Sequence, residues 1–391
     1  MQDWTRFRGP NGTGIGVPTG VAADYTDKDI RWKATLPGEG HSSPVVMGEF
    51  VFVTAAQREA GKRHLVCLDT KTGKERWRQS FDFKPYTTHE LNTAASATAT
   101  VDKERVYSLW PAPEGFVAVA HTLAGREVWR RDFGAFPTQH GGASSPILFD
   151  GLLIFSHEPE NAPGSLVALD AKTGQTRWEI KRPSKDAPYA VPMLYQPTPT
   201  APAQLLFCST ANGVTSVEAK TGKVLWDMPG LFSLRCVGSP IYAGGLIFAG
   251  TGVGNGSRLF VALKPSAGGT KPEIAWKQTR NTPYVPCPLY VNDLLFLWGD
   301  GGVVHCVKPE SGETVWLERV GGNFYGSPVF CEGKLWAMSN KGELVVIAAE
   351  KTFKVLGRHD LGEITNATPA FGEKTLYLRT LSHLTAVGST P

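Results

Sequence analysis

The sequence has no long apolar run, no marked excess of one charge and no basic tract. Its longest apolar stretches, such as residues 344–349, fall far short of the roughly 20 residues that a membrane-spanning helix needs, so no such helix is expected. Lysine and arginine number 40 against 36 acidic residues, a balance that argues against a nucleic-acid partner. The amino terminus lacks a basic region followed by an apolar one, so we expect no secretory signal in this sequence.

Paired cysteines are also missing, because the six cysteines are scattered along the chain without a CxxC motif. This distribution fits neither a disulfide framework nor a zinc ribbon. A free cysteine behaves as a small hydrophobic residue, so we expect each of them to be buried. The six are Cys67, Cys208, Cys236, Cys287, Cys306 and Cys331.

Turn-forming residues, in contrast, are abundant, with 43 glycines and 28 prolines. Hydrophobic residues make up 41% of the chain and charged residues 19%, a composition that excludes a disordered protein and supplies a large core. No stretch of a dozen residues carries a helical apolar stripe, whereas short alternating runs rich in β-branched residues are frequent. The composition therefore predicts an all-β protein.

A repeat of an apolar strand, a polar turn and a tryptophan runs along the chain. Its clearest copies are LVCLDTKTGKERW, LVALDAKTGQTRW and VTSVEAKTGKVLW. Successive copies end 40 to 52 residues apart, which matches the period of a four-stranded propeller blade. In the turn Asp-x-x-Thr-Gly, the polar side chains can bond the backbone and glycine supplies a positive φ. The copies end at Trp32, Trp77, Trp129, Trp178, Trp226, Trp276, Trp316 and Leu356.

Two further short strands are predicted between successive tryptophans. Segments such as SSPVVMGEFVFVTA and GSPIYAGGLIFAG are typical of apolar strands joined by a tight turn. We interpret the Ser-Pro pairs that open them as turn chemistry, because no nucleophile elbow accompanies them. The end of the chain supplies three strands, and DIRWKA near its start supplies a fourth. Seven complete units and this shared one predict a single eight-bladed β-propeller over residues 30–391, on which residues 1–29 pack as an extension.

The pattern AxDxxTGxxxW resembles the repeat of the pyrroloquinoline quinone (PQQ) propeller superfamily, which includes quinoprotein alcohol dehydrogenases and BamB-like assembly lipoproteins. The resemblance covers about residues 30 to 388. The opening WTRFRGPNGTGIG is similar to the start of PQQ-like repeat proteins of planctomycete-type bacteria. The resemblance implies a bacterial protein that is periplasmic or otherwise exported, and we expect a monomer.

PQQ chemistry is the alternative that this resemblance raises. A quinoprotein dehydrogenase needs a divalent cation such as Ca²⁺ on carboxylate and amide oxygens, an acidic base and an aromatic stack for the cofactor. The adjacent cysteine pair that is common in those dehydrogenases is absent here. Glu39 and Glu90 are the only acids directly ahead of the innermost strands. We therefore expect no cofactor and keep PQQ with Ca²⁺ as the alternative.

The same segments offer polar and aromatic side chains. In a propeller these loops converge on the mouth of the central channel, so we predict that the side chains form one ring. Such a ring suits an anionic or sugar-like ligand, with the Arg235 guanidinium binding in bidentate fashion and the tyrosines stacking. The alternatives are a water-filled channel without a ligand and a metal site built from the three histidines. The ring residues are His41, His89, Asn92, His140, Tyr189, Arg235, Tyr284, Asn323, Tyr325 and Asn366.

The function that we infer from the sequence is a non-enzymatic binding or scaffolding module whose channel mouth and loops contact a protein or saccharide partner. The alternatives are a PQQ-dependent oxidoreductase and a lyase or hydrolase that acts on polysaccharide through His140, Tyr189 and Arg235. Irregular, proline-containing segments interrupt the blades and are candidate contact loops. They are residues 82–93, 157–165, 182–192 and 195–204.

Overall fold

The computed structural model of the protein describes residues 3–198, 200–254, 256–266 and 269–388. Within the described residues, its strands form eight four-stranded antiparallel sheets, and in seven of them the strands follow one another along the chain as a meander. This arrangement confirms the predicted eight-bladed β-propeller. As expected from the two ends of the chain, the first strand of the protein completes the blade formed by the last three.

The chain divides into two compact units of four blades each. The terminal unit comprises the chain up to residue 135, residues 139–145 and the chain from residue 322 onward. The central unit comprises residues 136–138 and 146–321. The single propeller domain that the sequence predicted over residues 30–391 stays a prediction, and each unit is described below by itself.

The first part of the terminal unit contains blades 1 and 2 and one strand of blade 8. Blade 1 consists of β2 to β5 and blade 2 of β6 to β9. The elements are the 3-10 helices Pro10–Gly12 and Asp27–Asp29 and the strands β1 (Ile30–Thr35), β2 (Val45–Met47), β3 (Phe50–Gln57), β4 (Lys62–Asp69), β5 (Glu75–Asp82), β6 (Thr100–Val101), β7 (Arg105–Ala112), β8 (Gly115–Thr122) and β9 (Glu127–Asp132).

The central unit contains blades 3 to 6, each built from four strands that are consecutive in the chain. Blades 3 and 4 consist of β10 (Ile147–Phe149), β11 (Leu152–His157), β12 (Gly164–Asp170), β13 (Thr176–Arg182), β14 (Met193–Tyr195), β15 (Gln204–Ser209), β16 (Gly213–Glu218) and β17 (Val224–Asp227). Blades 5 and 6 consist of β18 (Ile241–Ala243), β19 (Leu246–Gly252), β20 (Arg258–Lys264), β21 (Glu273–Gln278), β22 (Leu289–Val291), β23 (Leu294–Trp298), β24 (Val303–Val307) and β25 (Thr314–Arg319).

The terminal unit is completed by blade 7, which consists of β26 to β29, and by blade 8, in which β1 pairs with β32. Second and third strands such as β3 and β4 are buried along nearly their whole length, whereas fourth strands such as β5 alternate between exposed and partly buried residues. The remaining strands are β26 (Val329–Cys331), β27 (Lys334–Met338), β28 (Glu343–Ala348), β29 (Val355–Asp360), β30 (Ala370–Gly372), β31 (Thr375–Arg379) and β32 (His383–Val387).

In four blades of the described structure, the repeated tryptophan contacts the turn of the next blade. The Trp32 indole N–H donates to the Thr70 carbonyl at 3.0 Å, and its ring covers Gly73, where a Cβ atom would lie 2.5 Å from the indole. Gly73 has a φ of 68°, a conformation that glycine adopts readily. Both this backbone conformation and the close approach of the indole therefore require glycine at this position. The same joint recurs, within one unit each time, at Trp77 with Gly125, Trp178 with Gly222 and Trp276 with Gly312.

The aspartate of the repeated turn acts as the sequence predicted. The Asp69 carboxylate accepts hydrogen bonds from the Lys71 and Thr72 amides and from the Thr72 hydroxyl, at 2.9 to 3.0 Å. Partial burial opposes its charge, but these bonds and the Arg76 guanidinium outweigh burial and lower the pKa of Asp69 to about 2. The turn that precedes β5 is therefore fixed by contacts within the turn itself.

The Ser-Pro positions link neighbouring blades. The residue in question lies two positions ahead of the first strand of a blade. In six blades its side chain accepts a hydrogen bond from the backbone amide of its counterpart in the preceding blade. In the terminal unit four such bonds of 2.9 to 3.1 Å join five residues. We call these residues the hydroxyl belt. In order they are Ser327, Thr368, Ser43, Thr98 and Ser145.

The central unit has a shorter belt with different chemistry. The Val191 amide donates to the Ser239 hydroxyl at 2.9 Å, and the Ser239 amide donates to the Cys287 thiol sulfur at 3.2 Å. Val191 itself has no side-chain acceptor. All six cysteines are free and buried, as the sequence analysis expected.

The amino-terminal segment crosses the first strands of the terminal unit. Trp4 exchanges two backbone hydrogen bonds with Val46 of β2, at 3.0 and 2.8 Å, and packs edge-on against Phe371 of β30. The Thr5 carbonyl accepts from β6 at 2.9 Å, and the Gly14 carbonyl accepts from β26 at 2.7 Å. The segment therefore contacts an inner strand of all four blades of this unit and covers part of their edges.

Candidate functional site

All ten residues predicted from the sequence lie in lead-in segments, which we define as the connections between the fourth strand of one blade and the first strand of the next. Seven belong to the terminal unit: His41, His89, Asn92, His140, Asn323, Tyr325 and Asn366. Three belong to the central unit: Tyr189, Arg235 and Tyr284. The single ring that would join both groups stays a prediction.

His41 and Asn366 meet in the terminal unit. The Asn366 backbone N–H donates to Nδ1 of His41 at 3.3 Å, and the Asn366 side-chain NH2 group donates to the Leu91 carbonyl at 3.0 Å. Burial, helped by the positive charge of Arg379, lowers the pKa of His41 to about 4. His41 is therefore neutral at pH 7 and serves as a hydrogen-bond acceptor between lead-in segments.

His89, Asn92 and His140 form a second contact in the terminal unit. The His89 and His140 rings are 5.0 Å apart between centroids in an edge-to-face arrangement. The His140 carbonyl accepts from the Asn92 side chain at 2.8 Å and from the His89 amide at 3.2 Å. The exposed His89 ring accepts at Nδ1 from the Leu91 amide at 3.2 Å. These contacts hold the lead-in segments of blades 2 and 3 together.

A metal site made of the three histidines gains no support from this arrangement. Nδ1 of His41 and Nδ1 of His89 each already accept a hydrogen bond from a backbone N–H group. Within the described residues, no group of three or more His, Cys, Asp or Glu side chains is arranged to hold a metal ion.

The remaining two predicted residues of this unit lie in the lead-in segment of blade 7, where Asn323 is exposed and Tyr325 is half-buried.

Arg235 is the centre of the group in the central unit. Its guanidinium binds the Glu160 carboxylate in bidentate fashion, at 2.7 and 3.1 Å, and also donates to the Ala187 carbonyl at 2.8 Å. The side chains of Arg235 and Glu160 are only 8% and 13% exposed. The guanidinium that the sequence analysis assigned to an anionic ligand is therefore already neutralised by an internal carboxylate.

Two tyrosines flank Arg235 from the neighbouring blades. The Tyr189 amide donates to the Cys236 carbonyl at 3.0 Å, and the Arg235 guanidinium lies 5.7 Å from the centre of the Tyr189 ring. On the other side, Gly252 donates its amide to the Arg235 carbonyl, and the Tyr284 ring packs on Gly252. Three consecutive lead-in segments thus place a tyrosine, an arginine and a tyrosine side by side.

Both tyrosines are half-buried and keep their hydroxyl protons. Burial raises the pKa of Tyr284 to about 12, although Arg235 opposes the shift, and burial likewise raises the pKa of Tyr189. The Tyr284 segment is held by Asp300, whose carboxylate accepts the Tyr284 and Val285 amides at 2.8 and 3.1 Å. The tyrosine hydroxyls are therefore neutral donors and acceptors at physiological pH.

Sequence reasoning missed Glu160, although it flagged the segment 157–165 in which Glu160 lies. The segment connects the second and third strands of blade 3, and such a connection lies at the same end of a blade as its lead-in segment. The same connection contributes Glu158, which is fully buried, forms an ion pair with Arg182 at 3.1 Å and accepts from the Ser156 hydroxyl at 2.5 Å. Topology, rather than local pattern, was the signal that could have found both acids.

Three largely buried carboxylates near the lead-in segments, Glu158, Glu160 and Asp300, are already engaged and are poorly suited to PQQ with a divalent cation. Such a cation takes about six to eight oxygen ligands, several of them from free carboxylates. Glu158 and Glu160 are each paired with an arginine, and Asp300 holds two backbone amides with Arg258 3.4 Å away. Glu39 and Glu90, the two acids that the sequence analysis singled out, are both exposed. No catalytic step through PQQ is derived from these residues.

Comparison with known proteins identifies the family. A family model described as outer membrane protein assembly factor BamB matches the chain in four overlapping stretches, residues 13–110, 59–188, 113–283 and 270–389. The chain belongs to this PQQ-like propeller family. No helix within the described ranges is long and apolar enough to cross a membrane.

Individual relatives of this BamB-like chain are distant. Polyvinylalcohol dehydrogenase of a Pseudomonas species is 24% identical over 263 residues, which are 55% of this chain and 39% of that protein. BamB of Burkholderia pseudomallei is 23% identical over 217 residues, which are 54% of this chain and 49% of that protein. The chain thus matches less than half the length of these two curated relatives.

Solved structures support the fold. The crystal structure of quinohemoprotein alcohol dehydrogenase from Comamonas testosteroni has a TM-score of 0.71 to this chain at 15% identity and covers 100% of this chain and 81% of its own. At this identity the likeness concerns the propeller fold alone. Activity has to be argued from the residues of the site.

Proposed function

We propose that this chain is an exported, non-enzymatic binding or scaffolding module that uses its lead-in segments and the neighbouring loops to contact a partner. The observation that carries the proposal is the state of three largely buried acids near these segments. Glu158 and Glu160 are buried in arginine pairs, and Asp300 is used to hold backbone amides. A hydrolytic or redox site needs a carboxylate that is available as base or ligand.

The family supports the same proposal, since its model is described as an outer membrane protein assembly factor. The relationship also supports export of this chain, which cell fractionation of the native organism tests. The sequence-based alternative of a polysaccharide lyase or hydrolase acting through His140, Tyr189 and Arg235 has no described observation in its favour.

A second candidate is a PQQ-dependent dehydrogenase. One specific observation favours it, the 24% identity to a protein named polyvinylalcohol dehydrogenase. Its requirements differ from those of a scaffold, because it must bind PQQ and a divalent cation with useful affinity. That difference makes the two candidates separable by a binding measurement.

Thermal unfolding of the purified protein with and without PQQ plus Ca²⁺ tests the proposal. A ligand that binds only the folded state stabilises it by about 2.7 kcal/mol at one hundred times its dissociation constant. We expect no shift of the unfolding temperature beyond that given by Ca²⁺ alone. A clear upward shift with PQQ would overturn the scaffold proposal and favour the dehydrogenase.

A further inference from the structure

The central unit carries a small surface that the scaffold proposal leaves without a ligand. We call Glu160, Tyr189, Arg235 and Tyr284 the central patch. It comes from three consecutive lead-in segments and the loop that joins the second and third strands of blade 3. We infer that the central patch binds a neutral saccharide, an inference that rests on the proposed binding function and names its ligand class.

The electrostatics of the patch exclude an anion as its preferred ligand. Arg235 and Glu160 form a bidentate pair at 2.7 and 3.1 Å, so their charges cancel. An anion would have to displace Glu160 from the guanidinium and leave a carboxylate, only 13% exposed, without its partner. A neutral ligand faces no such cost.

The polar atoms of the patch suit sugar hydroxyls. The Glu160 carboxylate accepts from the Arg235 guanidinium twice and from the Ala187 amide at 3.1 Å, whereas a guanidinium has five N–H donors in one plane. A sugar hydroxyl can therefore accept from the Arg235 guanidinium without breaking its pair with Glu160. The Tyr284 hydroxyl adds a neutral group that can both donate and accept.

The aromatic rings suit the apolar face of a sugar ring. Tyr189 has Arg235 5.7 Å from its ring centre, and Tyr284 has Gly252 packed against its ring. Each ring is thus held in place by a contact on the protein side and remains partly exposed. Rigid tyrosine rings beside planar polar groups are the usual composition of a site that orients a small polar ligand.

Isothermal titration calorimetry tests the inference with neutral and acidic probes. The neutral probes are cellohexaose, maltohexaose and chitohexaose, and the acidic comparators are hexagalacturonate and inorganic phosphate. We expect the intact chain to bind at least one neutral probe and neither acidic comparator. Absence of binding by all three neutral probes, or tighter binding of an acidic one, would overturn the inference.

Substitutions locate the binding. We expect Tyr189→Ala and Tyr284→Ala to weaken binding of the neutral probe at least tenfold, and Tyr189→Phe to weaken it less. Tyr290→Ala is the matched control, because Tyr290 is a half-buried tyrosine of blade 6 in the same unit and lies outside the patch. Equal weakening by Tyr290→Ala would overturn the location, provided that circular dichroism shows all variants folded.

The two proposals fail in different ways. Stabilisation by PQQ with Ca²⁺ would overturn the non-enzymatic function whatever the saccharides do. Failure of all neutral saccharides with no response to PQQ would overturn only the central-patch inference and leave a protein as the partner of the scaffold.

Discussion

The terminal and central units share one blade framework but hold their lead-in segments by different chemistry. In the terminal unit neutral groups make such a connection where Asn366 joins His41 to the Leu91 carbonyl. In the central unit an ion pair, Arg235 with Glu160, does the same work. The tryptophan contacts are alike in both units. The units therefore differ in the lead-in segments that connect their blades, and such connecting segments vary more than the strands they join.

This comparison has an energetic consequence. A neutral hydrogen bond contributes about 1 kcal/mol to stability, whereas removing one partner of a buried ion pair costs about 3 to 5 kcal/mol. The two candidate sites should therefore respond unequally to the loss of one side chain.

The largest effect is expected from Arg235→Ala. The substitution leaves the Glu160 carboxylate with little exposure and without its guanidinium, and we expect the free energy of unfolding to fall by about 3 to 5 kcal/mol. In the terminal unit, Asn366→Ala removes amide hydrogen bonds only and should cost about 1 to 2 kcal/mol. Urea unfolding of both variants measures the difference.

A double variant sharpens this result. Arg235→Met with Glu160→Gln removes both charges, and we expect it to be more stable than Arg235→Ala alone, because no unpaired charge is left buried. Equal destabilisation by Arg235→Ala and Asn366→Ala would break the comparison between the units.

The shared framework predicts equal effects in the two units. We expect Gly73→Ala in the terminal unit and Gly222→Ala in the central unit each to cost about 3 kcal/mol, from the left-handed backbone and from collision with a tryptophan ring. Gly48→Ala is the control, since Gly48 has a φ of 56° with no atom near its Cβ position, and should cost about 1 kcal/mol. Thermal unfolding of the three variants compares them, and unequal effects at Gly73 and Gly222 would show that the joints differ.

The sequence predicted the framework because the joint that builds it is local. Tryptophan, turn glycine and turn aspartate recur at fixed spacing, and each acts within its own turn or on the next blade. The candidate site was predicted only in part. Pairing of Arg235 with Glu160 joins residues from different blades, and no repeat pattern records which acid reaches which arginine. The Ser-Pro positions were correctly placed ahead of the first strands, but their bond to the next blade depends on blade geometry.

The pH dependence of stability tests the neutral chemistry of the terminal unit. The pKa of His41 is lowered to about 4 by burial and by Arg379, so protons bind more readily to the unfolded chain, where the value is near 6.5. Neutral His41 therefore contributes up to about 3 kcal/mol to the free energy of unfolding. This contribution is complete above pH 6.5 and is lost as the pH falls toward 4. We expect His41→Asn to remove this part of the slope in urea unfolding between pH 7 and pH 4.5. Burial also lowers the pKa of His121 to about 4, so the variant should keep the share of the pH dependence that comes from His121. An unchanged slope in the His41→Asn variant would contradict the role of His41.

The smallest effect is expected in the belt, where the units differ by a hydroxyl and a thiol. Thr98→Val in the terminal unit leaves the Ser43 amide without its acceptor and should cost about 1 kcal/mol. Cys287→Ser in the central unit replaces a weak sulfur acceptor of the Ser239 amide by oxygen, and we expect it to be neutral or to stabilise by a few tenths of a kcal/mol. Thermal unfolding resolves both changes when the variants are measured together. Destabilisation by Cys287→Ser equal to that of Thr98→Val would mean that packing of the sulfur, rather than its hydrogen bond, decides this position, and the belt would then join blades by hydrogen bonds in the terminal unit only.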